Sequence, residues 1–170
     1  SSGANWVPAA PREGARISFF GAPQRTNYND VLTRAGLIQV NPGGYRFEGK
    51  PLVLRGGLSF TGNNDWAIPS TLEGNQTFEN SSGVLTVSRA LQNNGYGLTW
   101  RVNQTAILNN VLSGRGGMIK YGRGKLIISA PALYTGETSI DEGTLILTNS
   151  GSIGASTNIK IRATTLLDAS

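Results

Sequence analysis

Leu126-Ile127-Ile128 is followed nineteen residues later by Leu145-Ile146-Leu147, and after about as many again by Thr165-Leu166-Leu167. A recurrence of roughly twenty residues is the length of one solenoid rung, in which each turn of chain stacks on the one before. No single rung buries its own apolar face, so the core forms only by stacking. Other short runs alternate apolar and polar residues between Gly, Asn, Pro and Ser clusters, and Ile17/Phe19, Leu52/Leu54, Leu85/Val87, Leu126/Ile128 and Leu145/Leu147 are expected to be the buried faces. Alternation puts one face in the core and one in water, because successive strand side chains point to opposite sides.

Strands this short and numerous need a sandwich, a barrel or a solenoid to bury their faces, and the spacing favours the solenoid. The first part of the chain is less regular, since Leu52-Val53-Leu54 precedes Leu85-Thr86-Val87 by thirty-three residues. The expectation is a single all-β domain over residues 1–170, with regular repeat coils over 111–170. Residues 1–110 are expected to form irregular coils or an antiparallel N-terminal cap. Helical periodicity is best at Asn29 to Ala35 and at Leu108 to Leu112, and neither segment is long enough to carry a helical architecture. With 23 glycines and abundant Asn, Ser and Thr, the composition supplies turn formers throughout.

The chain has no Cys and no His, which removes disulfides, thiol nucleophiles, imidazole bases and the usual zinc sites; no cofactor or metal is expected. No apolar run approaches the ~20 residues of a bilayer-spanning helix. The opening Ser1-Ser2-Gly3-Ala4-Asn5 lacks a signal-peptide layout, so an exported chain would already have lost its signal. The net charge of +5 makes a polyanion conceivable, but the basic residues are scattered from Arg12 to Arg162 as on solvated strand faces. No nucleic-acid partner is expected.

The stretch Gly124-Lys-Leu126-Ile-Ile128-Ser-Ala-Pro-Ala-Leu-Tyr134-Thr135-Gly136-Glu-Thr138-Ser-Ile140-Asp-Glu-Gly143-Thr-Leu145-Ile-Leu147 resembles the autotransporter-associated β-strand repeat, also called the passenger-associated transport repeat. The pattern is a glycine, an alternating Leu strand, a Tyr-Thr-Gly-x-Thr turn followed by Ile, and Gly-x-Leu-x-Leu. Asn5-Trp6-Val7-Pro8 with Ala15 to Phe20 looks like the opening of bacterial surface proteins carrying these repeats, and Asn75 to Asn80 and Gly83 to Val87 fit the style of their coils. The resemblance implies a right-handed parallel β-helix on the bacterial surface or in the extracellular space. Nothing here resembles the membrane barrel that ends autotransporters. The chain is then either a passenger fragment or a stand-alone protein using the repeat.

In the repeat, Gly136 and Gly143 are expected to supply positive φ or close backbone approach at corners. Thr138 suits a tight corner, and Tyr134 is expected to cover an apolar edge with its hydroxyl in water. Three further features bear on chemistry. Among the acidic residues only the neighbours Asp141 and Glu142 are placed together by sequence, and they point to opposite faces of an extended segment. Arg115, Lys120, Arg123 and Lys125 form the most basic stretch, which could grip an anion, although Met118 to Tyr121 reads as a strand between glycine turns. Trp66 and Tyr96 follow Asn-rich segments, a mix suited to glycan contact or to polar turns with ring-capped core ends.

The expected function is a non-enzymatic structural subunit that stacks end to end in a surface filament, stalk or layer. Thr165, Leu166 and Leu167 form its assembly end, because an uncapped sheet edge invites another copy head to tail. The runner-up is an adhesin or carbohydrate-binding passenger segment using Trp66 and Tyr96 on a surface glycan. A polysaccharide-active enzyme working with carboxylates and Arg is third.

Overall fold

The structure is a computed structural model that describes residues 11–21 and 25–170. Asn5-Trp6-Val7-Pro8 lies outside the described residues. Among the described residues the short apolar runs form 22 strands and no helix.

The strands fall into three sheets, which the chain visits in turn. Sheet A has eight strands, from Ile17–Phe20 to Ile159–Ile161; sheet B has eight, from Arg25–Asn29 to Leu166–Asp168; sheet C has six, from Arg34–Ala35 to Ala132–Tyr134. Each circuit of the three sheets is one rung, and the result is a parallel β-helix. Every ladder among the described strands is parallel, including the first, Ile17↔Ile38. The antiparallel cap allowed for in residues 1–110 is therefore absent from the described part of that region.

The apparent irregularity came from comparing strands that are not equivalent. Leu52–Leu54 lies in sheet C and pairs with Ser70–Leu72, whereas Leu85 and Val87 lie in sheet B opposite Asn64 and Trp66. In register, Ile38 meets Leu58, Phe78 meets Trp100 and Leu126 meets Leu145, which keeps the period close to twenty throughout. Asn29 to Ala35 is not helical: one strand ends at Asn29 and the next begins at Arg34. Leu108 to Leu112 is not helical either: Leu108 ends the strand Thr105–Leu108 in sheet B and Leu112 begins the strand Leu112–Gly114 in sheet C. Leu108 and Leu112 both point into the core from different walls.

Inward-facing rows run through the molecule from rung to rung. One carries Ile38, Leu58, Phe78, Trp100, Lys120 and Ile140; another carries Leu85, Ala106, Leu126 and Leu145. Leu126, Ile128 and Leu145 are fully buried. Leu147 is only partly buried, because the following ladder stops at Ile146↔Asp168 and sets no apolar partner against it. Near the first rungs an aromatic cluster fills the core, with Phe19 4.9 Å from Phe47, Phe47 5.5 Å from Trp66, and Phe60 6.2 Å from Trp66 between ring centroids. Tilted and edge-on contacts of this kind add about 0.5–1.5 kcal/mol per pair beyond area burial.

Buried amides close the corners. Asn80 Nδ2 donates to the carbonyls of Gly83 at 3.2 Å and Thr105 at 2.7 Å, and Asn93 binds the Gly116 backbone through both its donor and its acceptor. A tight turn leaves backbone groups without ladder partners, and these side chains supply them.

Candidate functional site

The repeat motif builds one rung and the corner beside it. Lys125–Ile128 and Thr144–Leu147 pair in sheet B, Ala132–Tyr134 lies in sheet C, and Thr138–Ile140 lies in sheet A. Tyr134 differs from expectation: the whole residue is buried, and its phenol is hydrogen-bonded to the Thr138 hydroxyl rather than to water. Thr138, inward-facing in sheet A, also donates to Ser156 Oγ at 3.0 Å. A tyrosine whose hydroxyl finds an internal partner can be buried whole. Burial also pushes its pKa up to about 12. Thr135 is exposed, with its N–H on the Gly114 carbonyl at 2.9 Å, and Ile140 is buried.

The motif glycines serve two different needs. Gly143 has φ +77°, a left-handed conformation, while a Cβ on Gly136 would lie 2.4 Å from the Gly116 carbonyl carbon. Gly136 is thus required by close stacking of two rungs. A Cβ on Gly124 would likewise lie 2.2 Å from the Gln104 carbonyl oxygen.

Within the basic stretch, Lys120 is not available to a ligand. It sits in the inward row between Trp100 and Ile140, fully buried, with Nζ donating to the carbonyls of Tyr121 at 3.2 Å, Gly122 at 2.5 Å and Glu142 at 3.0 Å. The position that carries Asn80 in an earlier rung carries Val102 in the next, and Gly122 follows Tyr121 at that corner with no side chain to close it. Lys120 reaches into the turn instead. Burial pushes its pKa down to about 8, with the Glu142 carboxylate opposing the shift. Arg115, Arg123 and Lys125 remain exposed, and the strand placement separates them from Lys120.

Trp66 is buried, with its indole N–H on Ser70 Oγ at 2.9 Å and its ring against Phe47 and Phe60, so it cannot stack on a sugar. The Asn63-Asn64-Asp65-Trp66 segment is largely a strand, Asn64–Ala67, with Asn64 facing inward as a corner amide. Tyr96 is exposed, beside the Asn94-Gly95 turn, where both residues have positive φ. The structure therefore does not bring Trp66 and Tyr96 together on one surface.

Asp141 and Glu142 face different partners. Asp141 accepts from Ser139 Oγ and pairs with Arg162 at 3.1 Å, while Glu142 accepts the Gly122 N–H at 3.2 Å and lies 3.5 Å from Arg123. Hydrogen bonding from Ser139, then Arg162, holds the Asp141 carboxyl below its ordinary range; Lys160 does the same for Glu137, and Arg55 for Glu73. These are fixed anions, the opposite of a proton donor held ready. Among the described residues no group of three potential metal ligands comes together, and no helix is long and apolar enough to cross a membrane.

The last rung is the exception to the buried rows. Ile159 and Ile161 continue the inward rows of Thr138 and Ile140, yet are 42% and 51% exposed, whereas Thr138 and Ile140 are fully buried. Leu167 continues the row of Leu145 and is partly buried, and Leu166, beside it, is exposed. Sequence reasoning singled out Thr165, Leu166 and Leu167 in this rung and did not single out Ile159 and Ile161, although their alternation around Lys160 was a readable signal.

The class of protein that the architecture defines is the parallel β-helix. No protein-family model, curated protein or solved structure matches the chain.

Proposed function

We propose that this chain is a non-enzymatic structural subunit of a bacterial surface assembly, in which β-solenoid units stack end to end. The observation that carries it is the parallel stacking itself: every ladder among the described strands is parallel, and the inward rows run on from Thr138 and Ile140 to Ile159 and Ile161, so that rungs add in register one on another. A further rung laid in register on Ile159–Ile161, from the same chain or from a second copy, would bury the two isoleucines, and stacking of copies is the use of the fold proposed here. The repeat motif supports placing this assembly outside the cell, as its resemblance to passenger repeats implies.

Electron microscopy of the full chain tests this. End-to-end polymers are expected at high concentration, and replacing Ile159 and Ile161 with Gln should abolish the polymers with unchanged secondary structure, because both side chains are exposed in the single subunit. Dispersed particles of the unmodified chain at every concentration would overturn the proposal.

A further inference from the structure

The outer face of sheet A carries a row that reads, rung by rung, Glu79, Arg101, Tyr121, Asp141, Arg162. The register is direct for the first three, and Asp141 and Arg162 extend it through the bonds of their N–H groups to the carbonyls of Lys120 at 2.9 Å and Ile140 at 3.0 Å. The neighbouring outward row reads Thr77, Thr99, Ile119, Ser139, Lys160. Two large apolar side chains therefore sit exposed at the middle strand, Ile119 and Tyr121, each 41% exposed. Small hydroxyls flank Ile119, and opposite charges lie at the two ends.

The first row is self-complementary. Turned about a two-fold axis parallel to the strands at Tyr121, it sets Glu79 against Arg162 of a second copy, Arg101 against Asp141, and Tyr121 against Tyr121. The same operation sets Ile119 on Ile119 and Thr99 on Ser139. Turned instead about an axis along the solenoid through this row, it sets Arg101 on Arg101 and Asp141 on Asp141. A surface that pairs with itself through a two-fold axis is the requirement for a closed dimer, and an apolar centre inside a charged rim is the usual layout of an interface.

We infer that two copies of this chain pair side by side, with antiparallel solenoid axes, through the outer face of sheet A centred on Ile119 and Tyr121. The contacts within one chain leave room for this. Ser139 and Arg162 both use Oδ1 of Asp141, and the Arg101 guanidinium lies 4.9 Å over the Tyr121 ring with no carboxylate among the described residues bonded to it. Five strands at about 4.8 Å spacing span about 19 Å, so the patch is small and the pair belongs to the weak class of interfaces. Its charges supply orientation and selectivity more than affinity. The patch takes in the outward-facing Lys160 and the following Arg162, whereas end-to-end stacking uses the inward-facing Ile159 and Ile161 of the same strand, so the two surfaces are different faces and neither proposal depends on the other.

The test is sedimentation equilibrium of the full chain carrying Ile159→Gln and Ile161→Gln, which removes end-to-end stacking from the measurement. A concentration-dependent dimer that weakens with added salt is expected. Arg101→Asp alone sets a new carboxylate against that of Asp141 in the other copy, and Asp141→Arg alone sets guanidinium against guanidinium, so each variant should associate about tenfold or more weakly. An equimolar mixture of the two restores an opposite-charge pair at each of these positions and should form a heterodimer at the parent's strength, as should the double variant Arg101→Asp, Asp141→Arg with itself. A monomer at all concentrations, single variants that dimerise like the parent, or a mixture that stays monomeric would each overturn the proposal. Loss of polymers in the unmodified chain would bear on the end-to-end proposal alone.

Discussion

Lys120 donates from its buried amine to the carbonyl oxygen of Glu142 at 3.0 Å, tying the sheet A strand of one rung to the corner of the next. Two more carbonyls, of Tyr121 and Gly122, accept from the same nitrogen. Lys120→Met keeps much of the apolar stem but leaves these acceptors without a donor. Stability should fall by about 1–3 kcal/mol at neutral pH, measured by chemical denaturation.

The same lysine gives a pH dependence. Its folded pKa of about 8 lies below its ordinary 10.5, so between those values the unfolded chain holds a proton that the folded chain has released. Stability from this group therefore rises with pH across that window and is lost as pH falls through 8. Denaturation from pH 7 to 10.5 should show the rise in the parent, and Lys120→Met should not show it.

Tyr134 acts in the opposite direction at higher pH. Its phenol, held by Thr138, is pushed up to about 12 from 10, so the folded chain keeps a proton that the unfolded chain gives up. The stabilisation is complete below pH 10 and is lost as pH rises through 12. Tyr134→Phe should abolish this alkaline loss, and absorbance titration of the parent should show a late phase that the variant lacks.

Close stacking at the corner predicts a contrast between two glycines. Gly136→Ala forces a methyl to within 2.4 Å of the Gly116 backbone and should cost about 1–3 kcal/mol. Gly154→Ala meets nothing within 4 Å and should change thermal stability by less than about 0.5 kcal/mol.

Ser70 is the acceptor for the Trp66 indole and itself donates to the Ile68 carbonyl at 2.9 Å. Ser70→Ala strands a buried N–H and should cost about 1–3 kcal/mol. A stability equal to the parent's would mean that the indole is satisfied in another way.

The solenoid was legible because Leu126, Ile128 and Leu145 alternate and recur at the length of a rung, and they are buried in stacked parallel strands. Gly136 and Gly143 were legible as corner residues because glycine tolerates both crowding and positive φ. The regular first half was hidden by polar residues that face inward. Asn64, Ser70, Gln76 and Asn80 interrupt the apolar alternation, since each satisfies backbone groups inside the core. Lys120 and Trp66, for which the sequence offered both a ligand contact and a structural place, are buried for one reason: a partner within hydrogen-bond reach offsets the loss of water.

By itself the sequence determined the local pattern, short alternating strands punctuated by glycine and asparagine, because side-chain direction in a strand follows from the backbone alone. Only the tertiary structure decided which residues stack across rungs. Glu79, Arg101, Tyr121, Asp141 and Arg162 are twenty to twenty-two residues apart in turn. The length of each rung shifts with its corners, so the outer rows exist only once the ladder hydrogen bonds have set the register.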